Sequence, residues 1–289
     1  MQAPPPGARF RFVQFEFAHP LGPADGRYLT RARPDADPER IVVLRTTGAT
    51  PRPLLGRRRA RRSEGDEPAP VPVVRATVID TEPLASAAEA GAWLEALRGD
   101  ADGLRAAAAD AARELNGLLR AHRAAAADPS VRDVAAAAAN AVRVGYGSGD
   151  QVAEGQYAEA YDLPPEDDRS AVRRRASALA PDERLAAILG GRDAVLAGEE
   201  LVLRARSDLD AGRPREAALQ ARIALEALLA ELGPEEGAEL GADRDAVGRA
   251  ANEALAGDPA DELSEAVAAA VARMESAVRR RRLGHLTNT

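Results

Sequence analysis

Residues 9–17 read RFRFVQFEF, and the stretch holds all four phenylalanines of the 289-residue chain: Phe10, Phe12, Phe15 and Phe17. Aromatic and β-branched residues at alternating positions favour a β-strand. The first two rings have the opposite parity to the last two. All four therefore share one face only if a β-bulge falls near Val13-Gln14. Without a bulge, the strand is covered on both faces.

Three further strands are predicted downstream, at 27–32, 41–44 and 71–79, and turn-forming residues separate the first three strands. No stretch between these strands is suited to a crossover helix, so the pairing is expected to be mainly antiparallel. After Pro83 the pattern changes to helical periods, rich in alanine. The sequence therefore predicts an α+β fold, with a small N-terminal mainly antiparallel β-sheet of four strands followed by a large all-α helical body. We expect domains at 1–83 and 84–289.

Several apolar stripes predict the helices of a bundle in this body. One stripe runs from Leu104 to His122 in steps of three and four. The next contains Val131, Val134, Ala138 and Val142, and would be the inner face of the following helix. An αα-hairpin is predicted at 199–232, with its turn at Gly212. The small residues of this hairpin resemble those of a tetratricopeptide repeat, but no second copy follows at a 34-residue period.

An insertion at 50–70 is highly charged and poor in apolar residues, so disorder is expected. It contains the cluster Arg57, Arg58, Arg59, Arg61 and Arg62. A flexible arginine arm can neutralise nucleic-acid phosphates without sequence specificity. The cluster has no interleaved aromatic residues for base stacking, and acidic residues follow it directly. It is therefore either a solvated loop or a nucleic-acid contact.

The glycine-rich segment Gly145–Asp150 follows the predicted helix that contains Val142. Glycines allow backbone amides to approach an anion, and a helix is expected to begin just after them. The segment lacks the Lys-Ser/Thr of a phosphate-binding loop. It is either an interhelical turn or a small-anion or enzyme site, with these candidate ligand-binding residues: Tyr146, Gly147, Gly149, Asp150 and Gln151.

The amino-acid composition excludes several classes of catalytic and metal site. The chain has no cysteine and no lysine, which excludes thiolate nucleophiles, Cys-type zinc sites and lysine Schiff bases. None of the three histidines lies in a two-histidine metal motif, and no catalytic constellation is recognisable. We therefore expect no metal and no cofactor, and catalytic residues are not assigned.

Charge and hydropathy bear on partners and location. Residues 1–80 hold 14 arginines and 9 acidic residues, a balance of +5, whereas the other 209 residues hold 25 and 37, a balance of −12. Opposite signs favour docking of the N-terminal part on the rest of the chain, or association of these parts between copies. The expected partner is another protein or a second copy of this chain. No apolar run is long enough for a transmembrane helix, and no signal peptide is expected. The expected location is the cytoplasm, without membrane binding.

These observations favour a non-enzymatic protein–protein interaction or scaffold module, because apolar helix faces are present and a catalytic constellation is not. A nucleic-acid-associated protein that uses Arg57–Arg62 is the first alternative. An enzyme or small-anion binder with its site near Gly145–Gln151 is the second.

Overall fold

A computed structural model describes residues 7–31, 37–48, 72–164, 181–233 and 237–287, without the side chains of 181–183 and 282–287. The chain forms two compact units, Met1–Pro165 and Glu166–Thr289, each of which is described by itself. The predicted insertion at 50–70, with Arg57–Arg62, lies outside the described residues. The boundary predicted at 83/84 falls inside the first unit.

The first unit is built on one antiparallel sheet of six strands. The strands are β1 (Phe10–Phe17), β2 (Gly26–Thr30), β3 (Arg40–Thr47), β4 (Val73–Asp80), β5 (Ala141–Gly147) and β6 (Glu159–Asp162). Their order is β2-β3-β4-β1-β5-β6, and each neighbouring pair is antiparallel. The α+β prediction is confirmed. The prediction of four strands is wrong, because β5 and β6 come from a segment that was expected to be helical.

β1 lies in the middle of the sheet and is covered on both faces. Its pairing with β4 is unbroken from Phe12 to Phe17, and its pairing with β5 from Phe10 to Glu16, so the sheet contains no bulge at Val13-Gln14. Phe15 and Phe17 are fully buried on one face, Phe12 is buried on the other, and Phe10 is partly buried beside it.

Two helices, α1 (Ala87–Arg98) and α2 (Ala101–Ala126), cover the face that carries Phe15 and Phe17. Side-chain caps define where each helix begins. The hydroxyl of Ser86 accepts a hydrogen bond from the backbone N–H of Glu89, and the carboxylate of Asp100 caps α2. Leu104 and Leu115 on the predicted stripe of α2 are buried, but they pack on the sheet rather than in a helix bundle.

The segment after α2 departs most from the prediction. Residues 131–140 are not an α-helix; they contain one 3₁₀ turn, Ala136–Ala138, before β5 begins. β5 takes the helix-compatible Val142 into the sheet because it pairs with the edge of β1 that β4 leaves open. A five-residue helix, α3 (Gly149–Ala153), then crosses the second face of the sheet and packs on Phe12 and Ile79.

The described part of the second unit is helical. Its helices are α4 (Pro181–Leu189), α5 (Ala197–Asp210), α6 (Pro214–Glu231), α7 (Arg244–Ala254) and α8 (Asp261–Thr287). α5 and α6 form an αα-hairpin that turns at Gly212, where φ is +66°. The two helices approach closely because Gly198 has no side chain: a Cβ there would lie 2.8 Å from the Leu228 side chain. Buried alanines, valines and leucines form the core of this unit.

Across the described residues, no helix is long and apolar enough to cross a membrane.

Candidate functional site

The second face of the sheet, opposite α1 and α2, carries a continuous set of charged side chains. Each strand contributes one residue, and the loop that follows α3 contributes another. We call this surface the arginine face, and it consists of Arg27, Arg45, Arg75, Arg143, Glu16, Asp162 and Glu154. Four arginines and three carboxylates give it a balance of +1.

The strand register places two arginines next to each other. Arg45 on β3 is directly opposite Arg75 on β4, and Arg75 is directly opposite Glu16 on β1. Side chains at directly opposed positions have their Cβ atoms about 5 Å apart, and like charges there are destabilising. The face therefore places two like charges side by side, Arg45 with Glu154 as its carboxylate and Arg75 with Glu16.

Glu16 is shared unequally between Arg75 and Arg143. Its Oε1 accepts a hydrogen bond of 2.7 Å from Nη1 of Arg143, but lies 3.5 Å from Nη2 of Arg75. The Nε of Arg75 is also buried without a hydrogen-bond partner among the described residues. A buried donor without an acceptor costs free energy. Arg75 is thus the least satisfied charged group on the arginine face.

Arg143 is held from two sides. Besides its bond to Glu16, its Nε lies 2.7 Å from Oδ1 of Asp162. The hydrogen bond to Glu16 is the main cause that holds the pKa of Arg143 above its ordinary value. Gln14 and Thr77, both 2% exposed, bond to each other at 3.1 Å in the same polar row of the sheet. Gln14, Thr77 and Arg143 lie side by side on neighbouring strands, so hydrogen bonds and burial hold this part of the site in place.

Glu154 lies over the other end of the face. Its Oε1 accepts a 2.9 Å hydrogen bond from Nη2 of Arg27, and Nη2 of Arg45 lies 3.1 Å from both of its oxygens. The Arg27 hydrogen bond, with the charge of Arg45, lowers the pKa of Glu154. The carboxylate is therefore ionised at neutral pH and bridges two arginines.

The candidate ligand-binding residues at 146–151 lie near this face. They belong to the end of β5 and to α3 rather than to a loop. Gly147 lies in β5 and Gly149 begins α3, so the interpretation as an interhelical turn is wrong. Asp150 and Gln151 are exposed on α3. The side chain of Tyr146 lies on the opposite, helix-covered face.

The hydroxyl of Tyr146 donates a 2.9 Å hydrogen bond to Oε2 of Glu159. This bond is the main cause that raises the pKa of Tyr146, and burial adds to it. Tyr146 is therefore a structural contact between β5 and β6, at the far side of the sheet from Asp150.

The glycines are explained by close packing of the chain on itself. A Cβ on Gly147 would lie 2.7 Å from the Val152 side chain, and one on Gly149 would lie 3.3 Å from the Phe10 ring. A Cβ on Gly145 would lie 2.4 Å from the carbonyl oxygen of Glu159. The small-anion site near Gly145–Gln151 stays a prediction, and the nucleic-acid site at Arg57–Arg62 lies outside the described residues.

None of the seven residues of the arginine face was a candidate from sequence. The sequence shows only which residues of one strand share a face, since alternate residues do. Gln14 and Glu16 share a face of β1, and Arg75 and Thr77 share a face of β4. Only the register, with Arg143 brought in by β5, shows that these positions adjoin.

The helical unit has two concavities that are weaker candidates for a binding site than the arginine face. A cleft of about 200 Å³ between α5 and α8 has two carboxylates, but Arg184 holds Glu199 and Arg206 holds Glu275. A depression of about 480 Å³ in the same unit is lined, among the described residues, by apolar side chains and glycines: Leu229, Ala230, Leu232, Gly233, Gly237, Ala238 and Gly241. Within the described residues, no three metal-ligating side chains are grouped to hold an ion.

No protein family, no curated protein and no solved structure matches this chain. The function is therefore argued from the arginine face itself.

Proposed function

We propose that the protein is a cytoplasmic, non-enzymatic interaction module, and that its arginine face binds an acidic segment of a partner protein. The unequal sharing of Glu16 beside the opposed pair Arg45 and Arg75 is the observation on which the proposal rests. A carboxylate from a partner would pair with the part-exposed guanidinium of Arg75, whose side chain is 29% exposed, and would screen the repulsion from Arg45.

Charge complementarity favours a protein over a nucleic acid on this face. Glu16, Glu154 and Asp162 lie between the arginines, so a regular phosphate backbone would meet three carboxylates along with four cations. An acidic protein segment differs in this respect. Its carboxylates are carried on flexible side chains, and the polar residues between them can face Glu16 and Asp162. Mixed charges of this kind give an interface specificity and orientation.

The test is fluorescence anisotropy with a fluorescein-labelled peptide of twelve alternating Glu and Ser residues, at low ionic strength. The double variant R45Q/R75Q should weaken binding about tenfold, since two charge contacts to the peptide are lost. The matched control is R105Q/R113Q, which removes the same charge from exposed arginines of α2. The control should change the affinity less than twofold.

Two results would overturn the proposal. One is that the peptide does not bind even at low salt, or binds the two double variants equally. The other is that a single-stranded oligonucleotide of the same charge binds more tightly and is lost in R45Q/R75Q, which would assign the face to nucleic acid. Self-association that the same variant abolishes would make the partner a second copy of this chain.

A further inference from the structure

We propose that Arg27 and Arg45 form a carboxylate-binding subsite, which Glu154 fills in the free protein and a carboxylate of the partner fills in the complex. The inference rests on the proposed function and goes further, because it names the two arginines that take one carboxylate and the residue that competes for them.

The origin of Glu154 distinguishes it from the other acids on the face. Glu16 and Asp162 belong to strands and share the rigid backbone of the sheet, whereas Glu154 follows the last residue of α3. Its carboxylate is positioned between Arg27 and Arg45, on the two strands farthest from β5. A group from outside the sheet already occupies this place, and it does so with the chemistry of an acidic side chain.

The exposure of the three side chains makes it easy to displace Glu154 from Arg27 and Arg45. The side chains of Glu154, Arg27 and Arg45 are 52%, 49% and 44% exposed. Exposed ion pairs contribute little, because water solvates the separated charges and holding long side chains costs entropy. Glu16 and Arg143, at 21% and 23% exposed, are held more firmly at 2.7 Å. The incoming carboxylate would therefore replace Glu154 and leave Glu16 in place.

The backbone around Glu154 allows this exchange without rearrangement of the fold. The N–H of Gly155 donates to the carbonyl of Val152, and the N–H of Gln156 donates to that of Gln151. These bonds hold the backbone on both sides and do not involve the Glu154 side chain, which is 52% exposed. Gly155 has φ +80°, and a Cβ there would lie 2.6 Å from Nη1 of Arg75. The loop thus stays close to Arg75 whether or not Glu154 contacts its arginines.

The test compares the wild type with E154Q, using the same labelled Glu-Ser peptide. Removal of the competing carboxylate should tighten binding about two- to fivefold, the range expected when an exposed ion pair no longer has to open. The matched control is E95Q, which neutralises an exposed glutamate that pairs with Arg98 on α1. It should leave the affinity unchanged within error.

A double-mutant cycle separates competition from a general change in charge. In the R27Q/R45Q background, E154Q should no longer tighten binding, because the subsite is gone. If E154Q and E95Q tighten binding equally, or if E154Q has the same effect in both backgrounds, the competition is overturned while the proposed function stands. If the peptide binds neither the wild type nor E154Q, both are overturned. Equal thermal midpoints of the variants would show that folding is unaffected.

Discussion

Gly145 gives the sharpest test of why the segment after Val144 is rich in glycine. A Cβ on Gly145 would lie 2.4 Å from the carbonyl oxygen of Glu159 and 2.8 Å from Cα of Ala160. Both are backbone atoms of β6, so the strand would have to move about 1 Å to restore ordinary contact. Overpacking of this kind costs typically 1–3 kcal/mol. G145A should therefore lower the free energy of unfolding of the first unit by about 2 kcal/mol.

Gly117 provides a control in the same unit. It lies inside α2, and a Cβ there would have no neighbour within 4 Å. Alanine is favoured over glycine in a helix interior by about 1 kcal/mol, so G117A should be stabilising. The same chemical change is therefore expected to act with opposite sign at two positions, with a difference of about 3 kcal/mol between the variants.

Urea unfolding followed by tryptophan fluorescence measures this difference. Trp93 is the only tryptophan in the chain and packs against the core of the first unit, so its fluorescence reports the unfolding of that unit. A unit-specific probe is needed because a chain of two units need not unfold in one step. Equal or higher stability of G145A, or parallel shifts of both variants, would refute the close-packing explanation.

Two further predictions concern Tyr146 and the arginine arm. Y146F should destabilise the first unit by about 1 kcal/mol, since it removes a hydrogen bond to Glu159. The raised pKa of Tyr146 means that the folded protein binds the phenol proton more tightly than the unfolded chain. This stabilisation is complete below the ordinary pKa of about 10 and is lost as pH rises through the raised value; absorbance at 295 nm follows the ionisation. If Arg57–Arg62 binds nucleic acid, a plot of the logarithm of the binding constant against the logarithm of the salt concentration should have a slope of about −4 to −5.

Each of these has a clear contrary outcome. A high-pH titration of Y146F that superimposes on the wild type would show that Tyr146 is not the late-ionising group. For the arm, replacing Arg57, Arg58, Arg59, Arg61 and Arg62 with Ser should abolish most of the binding. Binding that survives this change, or that is insensitive to salt, would exclude phosphate contacts there.

The sheet shows how far periodicity alone can be read. The first four strands were predictable because apolar and polar residues alternate or form short apolar runs between turns. β5 was missed because Val131, Val134, Ala138 and Val142 also fit a helical stripe, and alanine favours helix. The segment nevertheless pairs with the open edge of β1, where tertiary pairing outweighs local propensity. The run Val142 to Gly147 alternates in β fashion, and was the signal against the helix.

The arginine face could not be predicted for a related reason. A single strand shows which residues share its face, as Arg75 and Thr77 do, but the sequence does not give the order of the strands. Arg143 and Arg75 are 68 positions apart, and both reach Glu16 only because β1 lies between β4 and β5. Strand order, rather than any local motif, creates the site.

Protein NMR tests the central claim most directly, because it locates the bound peptide. The acidic Glu-Ser peptide would be titrated into ¹⁵N-labelled protein, with the backbone amides and the arginine Nε–Hε signals observed. The account predicts the largest shifts at Arg45, Arg75 and Glu16 and at the amides beside them, with a clear change of the Arg75 Nε–Hε signal, which has no acceptor among the described residues. Shifts confined to the helical unit, or saturating binding that leaves Arg75 unperturbed, would contradict it.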